Sequence, residues 1–241
     1  MRLKLLLTHL WPSLRGWRHW ELRLFIERAR YMLFRRVNPF TTKLGYYIWT
    51  SQQVISYWEI WVEGIVFNSC KDFPAHGTFI DIGASYGIVG FIARKLWPHA
   101  TIIGFEPQPS LANCCRSLAV YSQFHECALC GLALGRTILK SARTEDGFLA
   151  SGSTESNDKF WNDGEKIAVD GRELDSFHIV PDFVKIDVDG AEPGVVFGGL
   201  KTLRGCKVLC ECLGTEKEIA NLLKCNPVKQ SQVDYLFQPQ L

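Results

Sequence analysis

The chain has 241 residues, 47% of them hydrophobic, 12% aromatic and 22% charged. That suits one large α/β domain, or a domain with a modest extension, and excludes a disordered or collagenous chain. The net charge of +2 conceals an asymmetry: residues 1–43 carry ten Lys/Arg against Glu21 and Glu27, a net of +8, which leaves −6 for the rest.

A basic stretch of this kind suits an anionic partner, here a membrane surface rather than a nucleic acid. The opening "MRLKLLLTHLWPSLRGWRHW" begins positively, but its apolar run reaches only from Leu5 to Trp11 and is broken by Thr8 and His9. No secretory signal peptide is expected, and no window approaches the ~18 apolar residues of a spanning helix. Residues 14–36 place Leu14, Trp17, Glu21, Leu24, Ala29 and Leu33 at roughly helical spacing among arginines. Such a helix either packs on the main domain with a solvated Arg face, the reading preferred here, or lies on an anionic membrane. "RRVNPFTT" at 35–42 breaks the pattern, and residues 46–70 bring a second apolar, aromatic segment to the core.

From residue 78 strands and helices alternate. "TFIDIG" (78–83) is a strand, 87–97 a helix, "TIIGFEP" (101–107) a strand and 110–122 a helix; "FHECAL" and "RTILKSA" (136–142) are strands. Residues 144–165 form a polar loop, followed by a strand at "KIAVD", a strand at 182–188, a helix at 193–205, a strand at 207–213 and the helix "EKEIANLLK", opened by a Thr215–Glu218 capping box. This alternation predicts a mostly parallel sheet covered by helices on both faces, with ligands at the C-terminal strand ends near the switch in strand order. The nine cysteines are an odd count; Cys127 and Cys130 have CxxC spacing, but no second Cys/His pair follows at a zinc-like interval. Reduced, buried thiols in a cytoplasmic protein are expected, and no zinc.

The first strand ends "DIGASYG" (81–87), which is not GxGxxG. Gly83 permits a sharp turn, Gly87 opens the next helix, and Asp81 argues against a pyrophosphate. Glu106, in the "FEP" that ends the second strand, stands about 23 residues after the glycine turn, where an acid takes both hydroxyls of a ribose. An Asp before the turn and a Glu on the next strand, with no phosphate loop, suit S-adenosylmethionine. An NAD(P)-dependent oxidoreductase on a doubly wound fold and a non-catalytic nucleoside-binding module are the alternatives.

"FIDIGASYGIVG", "GFEPQPS", "CALCGLALGRT", "VDGRELDSF" and "FVKIDVDGAEPGVVFGGLKTLRGCKVLCEC", in order over about residues 78–213, resemble the FkbM family of S-adenosylmethionine-dependent methyltransferases. The resemblance implies a Rossmann-like class I methyltransferase domain that methylates a hydroxyl of a sugar, glycolipid or other small-molecule acceptor. The chain is read as a basic, Trp-rich helical extension (1–70) followed by the methyltransferase domain (71–241). Asp81, Gly83, Gly87 and Glu106 match cofactor-binding positions, and Ala84, Ser85 and Pro107 on the same loops join them as candidates. Lys185, Asp187, Asp189 and Glu192 match the family's K-x-D-x-E-G-x-E stretch. The chain departs from the family pattern at Ser85, where Asn is common, and at Asp189, where Glu is usual. The latter shortens the reach by one methylene, about 1.5 Å.

Methyl transfer to a hydroxyl requires an aligned oxygen, exclusion of water and a group that takes the proton. Asp187, at the strand end, is assigned to face the acceptor as base or orienter, with Lys185 on the same strand face to neutralise it or to contact substrate. Asp189 is a further catalytic candidate. It also stands three residues before Glu192 and four before Pro193, a spacing that would cap the following helix. A divalent cation held by Asp187, Asp189 and Glu211 is compatible with oxygen donors but is not the favoured reading. None of the histidines occupies a recognisable motif.

Overall fold

The structure, a computed structural model, describes residues 22–34, 36–131, 135–143, 149–153 and 165–238. It opens with helix α1 (Leu22–Phe34), the two-residue strands β1 (Phe40–Thr41) and β2 (Tyr47–Ile48), and α2 (Ser51–Tyr57), which continues as a π-helical segment (Trp58–Glu63) and then α3 (Ile65–Ser69). Leu14, Trp17 and Glu21 of the expected N-terminal helix lie outside the described residues. α1 buries Leu24 and Glu27. The Glu27 carboxylate pairs with Arg23 at 3.2 Å and Arg30 at 3.3 Å, and accepts the Asn38 N–H at 2.8 Å. A buried carboxylate needs compensation of this kind. Leu22, Ile26 and Phe34 remain exposed.

The alternating region follows: β3 (Thr78–Ile82), α4 (Ile88–Leu96), β4 (Thr101–Phe105), α5 (Pro109–Leu118), β5 (Gln123–His125), β6 (Ala128–Leu129), β7 (Gly135–Arg143), β8 (Leu149–Ser153), β9 (Glu165–Arg172), a 3-10 turn (Leu174–Phe177), β10 (Phe183–Ile186), α6 (Glu192–Phe197), β11 (Lys207–Glu211), α7 (Glu216–Leu223), β12 (Val228–Lys229) and β13 (Asp234–Phe237). Seven strands form the main sheet in the order β12-β13-β11-β10-β3-β4-β5. β5, β4, β3, β10 and β11 run parallel, and β13 pairs antiparallel with both β11 and β12. This is the expected Rossmann-like, doubly wound architecture. The chain steps outward from β3 to β5, then returns to lay β10 beside β3, so the order switches between those two strands.

The central strands are short apolar runs because both sheet faces are covered. Phe79 of β3 stacks on Phe183 of β10 with centroids 5.4 Å apart. Ile80, Ile82, Val184, Ile186 and Val208 pack with Val195, Val196, Ile219 and Leu223 of α6 and α7. Val66 and Val89 join the cluster around Phe79 and Phe183. The N-terminal elements are part of the same body, for Leu24, Tyr46, Tyr57 and Trp58 share a cluster with Tyr86, Phe91 and Leu111. Burial of each such side chain contributes about 1.5–3 kcal/mol.

Several sequence expectations need correction. "FHECAL" splits between sheets: β5 ends the main sheet, while β6 joins a second sheet in the order β6-β9-β7-β8. Within the expected polar loop, Leu149–Ser153 is a strand, paired to β7 by antiparallel registry that overrides its Gly/Ser composition; residues 144–148 and 154–164 lie outside the described residues. The helix expected over 193–205 stops at Phe197, because a Cβ on Gly198 would lie 2.2 Å from the Cys130 carbonyl oxygen, so the chain passes another backbone there. The Thr215 side chain makes no capping bond to α7, and its hydroxyl is buried without a hydrogen-bond partner among the described residues. β12 and β13 carry no sequence signal strong enough to have been expected.

Candidate active site

The turn after β3 is built on backbone geometry. The Gly83 and Ala84 N–H groups both donate to the Phe105 carbonyl at 3.0 Å. Gly83 has φ +75°, and a Cβ there would sit 1.8 Å from the Asp187 carbonyl oxygen, so only glycine permits β3 and β10 to approach this closely. Ser85 follows at φ 51° and Gly87 at φ 74°, after which α4 begins. The Ser85 N–H donates to Glu106 Oε2 at 2.8 Å, and the Gln108 N–H to Glu106 Oε1 at 2.9 Å. Glu106 is 5% exposed. Burial pushes its carboxyl up to about 7, against the two N–H donors that favour the charged form.

A cleft of about 300 Å³ opens at the C-terminal edge of β3, β4 and β10. One wall is Gly83, Ala84, Ser85 and Tyr86 with Phe105, Glu106 and Pro107; a second is Ala128, Leu129 and Leu139 from the second sheet. Gln52, Ile55, Ser56, Glu59 and Ile60, from α2 and the π-helical segment, form a third, and Lys185, Asp187, Asp189 and Glu211 complete it. A π-helical segment is uncommon and often marks a functional site.

Charge is concentrated along β10 and its neighbours. Lys185 Nζ lies 3.6 Å from Asp81 Oδ1 and 3.2 Å from Asp187 Oδ2, and donates to the Gly83 carbonyl at 3.0 Å. Burial favours its neutral amine, but Asp187 and Asp81 outweigh that and hold the ammonium well above its usual range. Asp81 is fully buried and accepts the Tyr121 hydroxyl at 2.9 Å. Burial pushes Asp81 above the usual carboxylate range, against Lys185 and that hydroxyl. The Asp187 side chain is 39% exposed. Burial opposes its charge as well, yet Lys185 and a hydrogen bond with Glu211 outweigh it and lower its pKa. Glu211 is raised, first by the charge of Asp187 and then by burial. The two carboxylates are thus coupled, with their pKa values pushed in opposite directions, Asp187 down and Glu211 up.

Gly83, Ala84, Ser85, Glu106, Pro107, Lys185, Asp187 and Asp189 line this one cleft, whereas Asp81 and Gly87 do not. Asp81 sits behind the wall, joining Tyr121 to Lys185, and Gly87 is the residue from which α4 starts. Asp189 does not cap α6. The preceding residue there is Ala191, with no side-chain cap, and Asp189 stands in a left-handed turn at φ 53°. Glu192 instead closes that turn, accepting the Val188 N–H at 3.2 Å and the Gly190 N–H at 3.0 Å through Oε1. Among the described residues no group of three or more His, Cys, Asp or Glu side chains is arranged to hold a metal ion. Sequence reasoning missed Tyr121 and the wall formed by Gln52 and Ser56 of α2 with Glu59 of the π-helical segment, none of which belongs to a motif.

The family model described as methyltransferase FkbM domain matches residues 81–229. Similar solved structures include precorrin-6y C5,15-methyltransferase from Geobacter metallireducens, at 14% identity and TM-score 0.43 over 73% of this chain and 85% of that one. TrmN from Thermus thermophilus is 12% identical with TM-score 0.41, over 73% of this chain and 47% of its own. A TehB-like SAM-dependent methyltransferase from Corynebacterium glutamicum is 8% identical with TM-score 0.42, over 73% of this chain and 87% of its own. No curated protein sequence matches closely enough to count as a relative.

Proposed function

The chain belongs to the FkbM family of S-adenosylmethionine-dependent methyltransferases, and we propose that it moves the methyl group to a hydroxyl of a sugar, a glycolipid or another small-molecule acceptor. That membership decides against the NAD(P)-dependent alternative. The observation that carries the acceptor reading is Asp187, a carboxylate 39% exposed in the same cleft as Glu106 and ion-paired to Lys185.

The residues present fit the cofactor. Glu106 would accept the ribose hydroxyls, the main chain of residues 83–86 would contact the rest of the molecule, and Phe105, Pro107 and Leu129 offer apolar surface to the base. When bound, S-adenosylmethionine supplies an electrophilic methyl group on a sulfonium. The chain's own residues must orient the acceptor oxygen, exclude water and take up its proton. Asp187 is the base. The proton it accepts leaves to solvent as product departs. Lys185 keeps Asp187 ionised until then, and Asp81 and Gly87 act behind the cleft by holding Lys185 and starting α4. Asp189, Gln52 and Ser56 orient the acceptor.

We take residues 71–241 as the methyltransferase domain and 1–70 as an extension that supplies the α2 wall. A membrane reading is supported by the exposed Leu22, Ile26 and Phe34 of α1 within a basic segment. It makes the protein cytoplasmic and peripheral, and a lipid-linked sugar a suitable acceptor. Among the described residues no helix is long and apolar enough to cross a membrane. Sedimentation of the full chain with vesicles of phosphatidylglycerol and phosphatidylcholine checks this: binding at low salt that fades at high salt is expected, and none at low salt ends the reading.

The acceptor proposal is tested by transfer of label from methyl-tritiated S-adenosylmethionine to a panel of glycans, glycolipids and small metabolites. Label in an alkali-stable methyl ether is expected. Label recovered only on nitrogen, carbon or an alkali-labile ester would overturn the hydroxyl assignment.

A further inference from the structure

The turn that follows β3 is braced from outside the span that the family model matches. Tyr46 lies upstream of residues 81–229, yet its hydroxyl donates to the Tyr86 carbonyl at 2.8 Å from a side chain 1% exposed. Gln53 Oε1 accepts the main-chain N–H groups of Trp49 and Thr50 at 2.9 and 3.1 Å. Its amide nitrogen is thereby turned toward Tyr46 and donates to the hydroxyl oxygen at 3.1 Å. With its oxygen accepting from Gln53, the Tyr46 proton is directed to Tyr86. The ring cannot drift, because it lies edge-on to Phe91 at 5.2 Å and against Tyr57 at 5.9 Å.

The braced carbonyl sits between two left-handed residues, Ser85 and Gly87. A non-glycine residue in that region is strained and persists only where its surroundings over-determine it. Glu106 holds the turn from one side, through the Ser85 N–H, and Tyr46 holds it from the other. We propose that Tyr46, oriented by Gln53, is a positioning residue for S-adenosylmethionine, fixing the 83–87 turn in the conformation that faces the cleft. The proposal rests on the reading that the cofactor lies against this turn. Gln52 and Ser56, on α2 with Gln53, line the same cleft as the turn.

The test is calorimetric titration of the full chain with S-adenosylmethionine, comparing wild type with Tyr46→Phe, Val54→Ala and Glu106→Ala. Tyr46→Phe keeps the ring and removes only the hydroxyl. It is expected to raise the Kd about tenfold while the unfolding temperature of the free protein falls by no more than a few degrees. Val54→Ala loosens the same apolar cluster without touching the hydrogen-bond chain, and is expected to lower the unfolding temperature with Kd within twofold. Wild-type affinity in Tyr46→Phe overturns the proposal, as does a rise in Kd that tracks lost stability equally in both variants. Unchanged affinity in Glu106→Ala shows instead that the cofactor does not lie against this turn, a separate failure. Should Tyr46→Phe not fold, hydrogen exchange of the wild type decides. S-adenosylmethionine is expected to slow exchange in residues 46–53 together with 83–87, and protection of 83–87 alone contradicts the proposal.

Discussion

Tyr121 occupies a slot left open by two glycines. A Cβ on Gly90 would lie 2.4 Å from its ring, and one on Gly104 would lie 2.6 Å away. The slot allows the hydroxyl to reach Asp81, and Asp81 in turn holds Lys185. Tyr121→Phe should keep the packing and lose the bond, destabilising the protein by about 1–2 kcal/mol in urea unfolding. Because that donor favours the charged form of Asp81, its loss should move the Asp81 carboxyl titration upward, seen by NMR of aspartate labelled at the carboxyl carbon. An unmoved titration would mean that the hydroxyl does not tune Asp81. Glu106 gives a second residue-scale prediction. Its carboxyl stands near 7 in the free protein, and the ionised form is the one able to accept two hydroxyls. S-adenosylmethionine affinity measured by calorimetry should therefore fall as pH drops from 8 to 6, approaching tenfold per unit below 7. The dependence should vanish in Glu106→Gln, and a pH-independent Kd in the wild type would contradict the ribose assignment.

At the scale of elements, β3, β4, β10 and β11 were legible because parallel strands buried on both faces must be apolar runs, and runs such as "TIIGF" and "KVLCE" have few other uses. The elements that sequence did not reveal depend on partners far along the chain. β8 is a strand because β7 pairs with it, and β13 because the edge of β11 accepts it, with Glu211 opposite Asp234. α6 ends early because Cys130 passes close to Gly198, which periodicity along 193–205 cannot report. Gly198→Ala tests that explanation: it should destabilise by about 1–3 kcal/mol, although alanine is the better helix former, as measured by urea unfolding. A stabilising outcome would mean that the helix stops for another reason. The same limit applies to the site. Gly83, Glu106 and Asp187 could be read from strand ends, whereas Tyr121, Gln52 and Ser56 enter the account only once the chain is folded.

Taken as a whole, the molecule places one cleft where the strand order switches and builds it from three parts: the β3 and β4 loops, the second sheet, and α2 of the N-terminal segment. The first part is the one to which we assign the nucleoside cofactor. The last, with the π-helical segment that continues it, brings the polar groups Gln52, Ser56 and Glu59 to the cleft. Between them stands Asp187, with Lys185 on one side and Glu211 on the other. The central claim is that this carboxylate takes the proton of the acceptor hydroxyl. Its most direct test compares Asp187→Asn with wild type for both S-adenosylmethionine affinity and turnover on an acceptor found by the labelling screen. Asp187→Asn should leave Kd within about threefold of wild type and lower kcat at least a hundredfold; full turnover in Asp187→Asn would show that Asp187 is not the base.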